Sequence, residues 1–213
     1  MPKCKVEVLC DHFRDEIKSF ISLDEDNQDR YSTPATGGLV GISPDQMYLL
    51  SEGVLFSAFR AYENFINELF LYYCIAEKTI GGQVATSYLN TRSKDKAYEL
   101  VKSSQPFLDW ASPDNVIQRS ETYLKDGFLI KATYTAHKST FRELHRLRNH
   151  IAHNSKESLG GYKKVLFENL STLPVTIPSV GEYLLLEDKQ NKPDHYLLRY
   201  LNFLDRMAVL LSS

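Results

Sequence analysis

The chain has 213 residues, the length of one large domain or two small ones, and is 43% hydrophobic and 24% charged, a balance typical of a folded globular protein. With 25 Lys and Arg against 27 Asp and Glu its formal charge is −2, which excludes a globally basic nucleic-acid coat but not a local basic site. Cys4, Cys10 and Cys74 make no CxxC pair and no disulfide framework, so reduced thiols in a cytoplasmic protein are expected.

The N-terminal stretch mixes charges with apolar residues and lacks a signal-peptide core. The longest apolar run, Leu69 to Ala76, falls far short of the ~20 residues a spanning helix needs, so no membrane association is expected. Val6, Leu9, Phe13, Ile17 and Phe20 recur at helical spacing and predict a first helix that stops at the acidic run Asp24, Glu25, Asp26 and Asp29. Residues 31–44, rich in Gly, Pro, Ser and Thr, read as a loop. Ser43 or Asp45 suits the cap of a long helix over 47–77, with Pro44 at an early position and a wide apolar face that includes Leu55, Phe59, Tyr62, Phe65 and Leu69.

Shorter helices are predicted over 93–102 and 114–125, followed by a turn at Asp126-Gly127. A helix over 137–153 comes next, its end marked by Asn154, Ser155 and then Gly160-Gly161. One more short helix is expected at 162–169. Residues 172–187 alone have strand-like character, fitting a small hairpin or an extended loop. A last helix is expected over 194–211. This pattern predicts an all-α chain forming a single domain over 1–213, with a small non-helical insertion before the last helix.

Charge is concentrated in one place. Residues 131–164 carry eight Lys or Arg and two acidic residues, about +6, so the remainder is about −8. On a helical wheel Phe141, Leu144, Leu147 and Ile151 form an apolar arc, with Arg142, His145, Arg146, Asn149 and His153 on a polar arc beside it. His145, Asn149 and His153 stack at i, i+4 and i+8. Arg148 falls within the apolar arc, a costly position for a cation unless it is paired or meets a ligand. Histidine exchanges protons near neutral pH, and a guanidinium fork matches phosphate oxygens. These groups suit cleavage of RNA by internal attack of its 2′-hydroxyl, which needs a proton acceptor, a proton donor and charge stabilisation but no metal. Arg148 and His153 lie roughly 140° apart on a regular helix, so two copies facing across a twofold axis would bring an Arg and a His together more easily than one.

The segment Arg148-Asn149-His150-Ile151-Ala152-His153 matches the R-N-x-x-x-H signature of the HEPN superfamily (higher eukaryotes and prokaryotes nucleotide-binding). Its context, ELHRLRNHIAHNS, resembles HEPN proteins of bacterial defence and toxin–antitoxin systems, including the RiboL-PSP and MAE-type groups. The long helix SEGVLFSAFRAYENFINELF and the closing PSVGEYLLL are similar to the same pattern. The resemblance implies a HEPN-like helical bundle over 47–213, with residues 1–46 as an N-terminal extension and loop. It also implies a homodimer with a composite active site, and a metal-independent endoribonuclease that needs no cofactor. Arg148 and His153 would be catalytic and Asn149 would position them. An antitoxin or sensor protein is an implied partner. Where some HEPN toxins carry a Tyr two residues after the His that their partner modifies, this chain has Ser155. The alternative is a HEPN module without activity that binds nucleotides, RNA or protein.

Around this signature, Arg142, His145, Arg146, Lys163 and Lys164 are candidates to track an RNA backbone, and Tyr162 to stack on a base, each against an ordinary surface role. Glu63, three residues after Arg60, makes either an ion pair or a wall of the active cleft. His150 is a candidate to support the site from behind. A zinc site from His145, His150 and His153 matches no usual spacing, because His150 points away from the other two. Trp110 reads as a core or interface anchor.

Overall fold

The computed structural model describes residues 3–32, 41–103, 105, 107–189 and 192–213. The described residues form nine α-helices and a single 3-10 turn, and no β-strand, only isolated bridges such as Glu187 with His195. The helices are α1 (Lys5–Ser32), α2 (Pro44–Cys74), α3 (Lys94–Lys102), α4 (Pro113–Tyr123), α5 (Phe128–Ala136), α6 (Lys138–His153), α7 (Lys156–Leu170), α8 (Val180–Leu184) and α9 (Tyr196–Ser212). The all-α expectation holds, and no helix among the described residues is long and apolar enough to cross a membrane.

The chain packs as two compact units. Unit 1 takes the residues up to Asp15, Ala61–His145 and Asp205–Ser213; unit 2 takes Glu16–Arg60 and Arg146–Leu204. Helices α1, α2, α6 and α9 each contribute to both.

Aromatic side chains hold unit 1 together. The Phe13 ring stacks on Phe65 at 4.8 Å and meets Tyr62 edge-on, and Tyr62 lies 5.7 Å from Phe141. Phe141 in turn stacks almost parallel on Tyr134, centroids 4.1 Å apart. Burying rings of this size supplies most of the stabilisation, and their offset contacts add about 0.5–1.5 kcal/mol per pair. Tyr134 belongs to α5, a helix the periodicity did not single out. Its sequence FLIKATYTA is rich in β-branched and aromatic residues with weak helix propensity. Burial of Ile130 and Tyr134, one turn apart, makes it helical. The expected turn before it is real: Asp126, Gly127 and Phe128 all have positive φ, and a Cβ on Gly127 would meet Lys131 Cβ at 2.4 Å.

Unit 2 has a different core, lined with tyrosine hydroxyls that are bonded. Tyr183 stacks on Tyr196 at 4.6 Å and its hydroxyl lies 3.1 Å from that of Tyr200. Backbones approach closely at Gly181, where a Cβ would fall 2.1 Å from the Tyr48 carbonyl oxygen; the Gly181 N–H donates to Glu52 Oε1 at 2.9 Å.

Three expectations are corrected. The first helix does not stop at Asp24 but continues to Ser32. Asp24 and Asn27, three apart on one face, are buried, and Asp24 Oδ2 lies 2.8 Å from His195 Nε2, while Glu25, Asp26 and Asp29 face solvent. An acidic run with one paired, inward carboxylate continues a helix as readily as it ends one. Gly160-Gly161 do not mark a helix end; they lie inside α7, which is fifteen residues long rather than a short helix over 162–169. A Cβ at Gly161 would make only an ordinary contact with Arg146 Cγ at 3.4 Å, so packing there does not require glycine. Residues 172–187 make no hairpin: 172–179 are non-helical, as the extended-loop alternative had it, and 180–184 make α8, capped by the Ser179 hydroxyl, which accepts from the Glu182 N–H. Val6, Cys10 and Phe13 are buried in unit 1 and Ile17 in unit 2.

Candidate active site

The Arg-Asn-x-x-x-His segment forms the last turn and a half of α6. The helix ends where the sequence says it should. Asn154 takes a left-handed φ of 42°, and Ser155 starts α7 with a reciprocal capping pair: its hydroxyl accepts from the Ser158 N–H at 3.2 Å while the Ser155 N–H donates to Ser158 Oγ at 2.9 Å. Ser155, at the position of the modified Tyr in some HEPN toxins, therefore serves as a helix cap.

Arg148 is half-buried. Its guanidinium lies over the Phe56 ring of α2, 5.6 Å from the centroid, and donates weakly to Asn149 Oδ1 at 3.4 Å. The wheel placed this cation among apolar residues, and the structure supplies an aromatic face there. Nothing in the sequence marked Phe56 as that partner. Asn149 is half-buried beside Arg148, and His153, at the helix end, is exposed. His145, half-buried, is the last residue of unit 1, one helical turn before Asn149.

His150 faces α7. Its Nδ1 lies 2.9 Å from Ser158 Oγ and its ring stacks on Tyr162 at 5.1 Å. Burial lowers its pKa from the ordinary value, against a smaller opposing effect of Glu52. This contact ties α6 to α7 and supports the signature from the buried side. Tyr162 is not a stacking platform for a base: it is 1% exposed, and its hydroxyl donates to the carbonyls of Pro178 and Ser179.

The basic window is less open than its sequence charge. Lys131 pairs with Glu121, and Lys138 and Arg142 both pair with Asp114, which they hold below the usual carboxylate range. Arg146 makes a two-oxygen contact with Glu168. At least four of the eight basic side chains thus meet acids, and the three acids involved, Asp114, Glu121 and Glu168, all lie outside the window in the sequence. These are exposed or half-exposed pairs worth little each, so a phosphate can displace them. Lys163 and Lys164 border a small cleft with Phe167, Glu168 and Leu173, in which Phe167 is 58% exposed. Phe167, exposed beside two lysines, was readable as a basic-aromatic pairing but was not singled out.

Glu63 lies in unit 1, half-buried, where its charge bears on the buried Tyr134 hydroxyl, whose pKa is raised chiefly by burial. Glu143, on the polar side of the wheel, is 7% exposed. Among the described residues no three His, Cys, Asp or Glu side chains converge to hold a metal ion. No family model matches the chain, and no curated protein and no solved structure matches it either.

Proposed function

We propose that this protein is a metal-independent endoribonuclease of the HEPN type, acting as a dimer and serving as a toxin or anti-phage effector. The observation that carries the reading is the state of the signature on α6: a half-buried Arg148 held by Phe56 and Asn149, followed by an exposed His153 at the helix end. A guanidinium fixed on an aromatic face loses little entropy on meeting phosphate oxygens, and an exposed imidazole is free to approach a ribose hydroxyl or a leaving oxygen.

The chemistry follows from these groups. A base removes the proton from the RNA 2′-hydroxyl, whose oxygen attacks the adjacent phosphorus. The P–O5′ bond breaks, a proton is delivered to the 5′-oxygen, and a 2′,3′-cyclic phosphate remains. His153 acts as the proton-transfer group, Arg148 offsets the charge that builds on the phosphoryl oxygens, and Asn149 positions Arg148. A second copy supplies the other half of the acid–base pair, because roughly 140° of helix separates the two side chains in one copy. Lys163 and Lys164 provide contacts for the flanking phosphates.

The test is incubation of the purified protein with total RNA in EDTA, beside Arg148→Ala and His153→Ala proteins. Cleavage by the parent alone, leaving 5′-hydroxyl and cyclic-phosphate ends, is the expected result. Equal cleavage by all three proteins refutes the assignment of these residues. No cleavage by any of them, with RNA or nucleotide binding weakened by Arg148→Ala, replaces the enzyme by a binding module of the same fold.

A further inference from the structure

A second concave site lies wholly within unit 1. It is a cleft of about 420 Å³, inside the range of roughly 300–1,000 Å³ typical of small-ligand sites. One wall is a face of α4: Asn115, Gln118, Arg119 and Thr122 recur at the spacing that places side chains on one side of a helix. Gln105 and Phe107, which follow α3 in the chain, also line the cleft. Phe107 is 71% exposed, so its ring is open to a ligand.

The floor is built rather than incidental. The Arg119 guanidinium lies over the Trp110 ring at 4.3 Å and donates to the Asp109 carbonyl oxygen at 2.8 Å. Trp110 is itself packed against Phe70 at 5.2 Å. Asp109 closes the loop as a clasp: its carboxylate accepts the N–H groups of Ala111 at 2.9 Å and Ser112 at 3.3 Å and the amide of Asn115 at 2.6 Å. Burial lowers the Arg119 pKa, opposed by Asp109 and Tyr123, so the cation is held in place at a cost.

The charged lining is one Asp and one Arg, which offset each other, and the carboxylate already accepts three hydrogen bonds. Such a site does not select a phosphate by charge. It offers an exposed aromatic ring, a flat guanidinium and three side-chain amides that each carry a donor and an acceptor. Rings and guanidinium planes stack on heteroaromatic faces, and amides read the hydrogen-bonding edges of bases. We infer that this cleft binds a nucleobase, with the ring stacked at Phe107 and Arg119 and its edge met by Gln105, Asn115 and Gln118. The inference stands apart from the proposed cleavage at Arg148 and His153, because all of its residues belong to unit 1.

The base can come from a free nucleotide or from single-stranded RNA; a panel of ligands distinguishes the two, read out at Trp110. It is the chain's only tryptophan and lies under Arg119, so its emission reports occupancy. The His153→Ala protein is titrated with the four ribonucleosides, their 5′-monophosphates, ribose 5-phosphate and a short unstructured RNA, by fluorescence and by calorimetry. Saturable binding of at least one nucleoside, weakened about ten-fold by Phe107→Ala, is the expected result. Equal affinity for the nucleoside and the RNA assigns a free-nucleotide site. Binding of RNA alone, with the same loss in Phe107→Ala, assigns a base within a strand. Three outcomes overturn the inference: no calorimetric binding of any ligand at millimolar concentration, binding unchanged by Phe107→Ala, or equal binding of ribose 5-phosphate.

Discussion

The two halves of α6 obey different rules. In the first half Phe141 and Leu144 are buried, Phe141 is stacked on Tyr134, and the cations Lys138 and Arg142 share one acid, Asp114. In the second half Leu147 is buried, but Ile151 is only half-buried, Ala152 and His153 are exposed, and the Arg148 guanidinium lies over the Phe56 ring. One helix, with one apolar period, anchors a core at its start and leaves His153 exposed at its end. A single amphipathic wheel therefore describes where side chains point, while the packing around each turn decides whether they stabilise or remain available.

Substitutions can break this contrast or sharpen it. Phe141→Ala should have the largest effect on stability, about 3–5 kcal/mol, because it leaves a cavity beside Tyr62 and Tyr134 that the ring filled. Urea unfolding measures it, and a loss near 1 kcal/mol would mean the first half is no anchor. Ser155→Ala removes the cap of α7 and should cost about 1 kcal/mol. Because that cap sits directly beyond the signature, the variant should also lower cleavage by the Arg148 and His153 pair while leaving RNA binding in place. An unaltered unfolding midpoint would show that the turn is held by other contacts.

The second half also predicts a pH dependence. Burial lowers the His150 pKa in the folded state below its ordinary value near 6.5, so between the two values the unfolded chain binds more protons. The stabilising contribution of neutral His150 is thus complete above about pH 6.5 and is lost as pH falls through the folded pKa. Unfolding midpoints should fall on that side, and His150→Gln should flatten this part of the profile; an identical slope in the variant would assign it to another group. The smallest effects on stability belong to exposed residues. Arg142→Ala should cost less than about 1 kcal/mol, since it loses one pair with Asp114. His153→Ala should stay within about 0.5 kcal/mol while abolishing cleavage, which separates the reactive end of the helix from its anchoring end.

Period and punctuation in the chain were sufficient for most helices. The apolar repeats of α2 and α9, the Ser93 cap of α3, the Asp126-Gly127 turn and the Asn154-Ser155 break after α6 are local features with local causes. The alignment of Arg148, Asn149 and His153 at the end of α6 is of the same kind, since helical geometry places them once the helix is recognised.

What depends on distant parts of the chain was not readable. Asp24 continues α1 because His195, far along the sequence, receives its carboxylate, and α5 is helical because Tyr134 meets Phe141. Tyr162 is buried because its hydroxyl finds the carbonyls before α8, although its sequence neighbours are two lysines. The sum of charges over 131–164 overstated the open positive surface, because Asp114 and Glu121 come from α4. The sequence by itself determined an all-α chain and the placing of Arg148, Asn149 and His153 at the end of one helix, because both follow from spacing along the backbone. Only the tertiary structure decided that Phe56 holds Arg148, that His150 braces α7, and that Phe107 and Arg119 line one cleft, because burial and pairing depend on which residues meet in space.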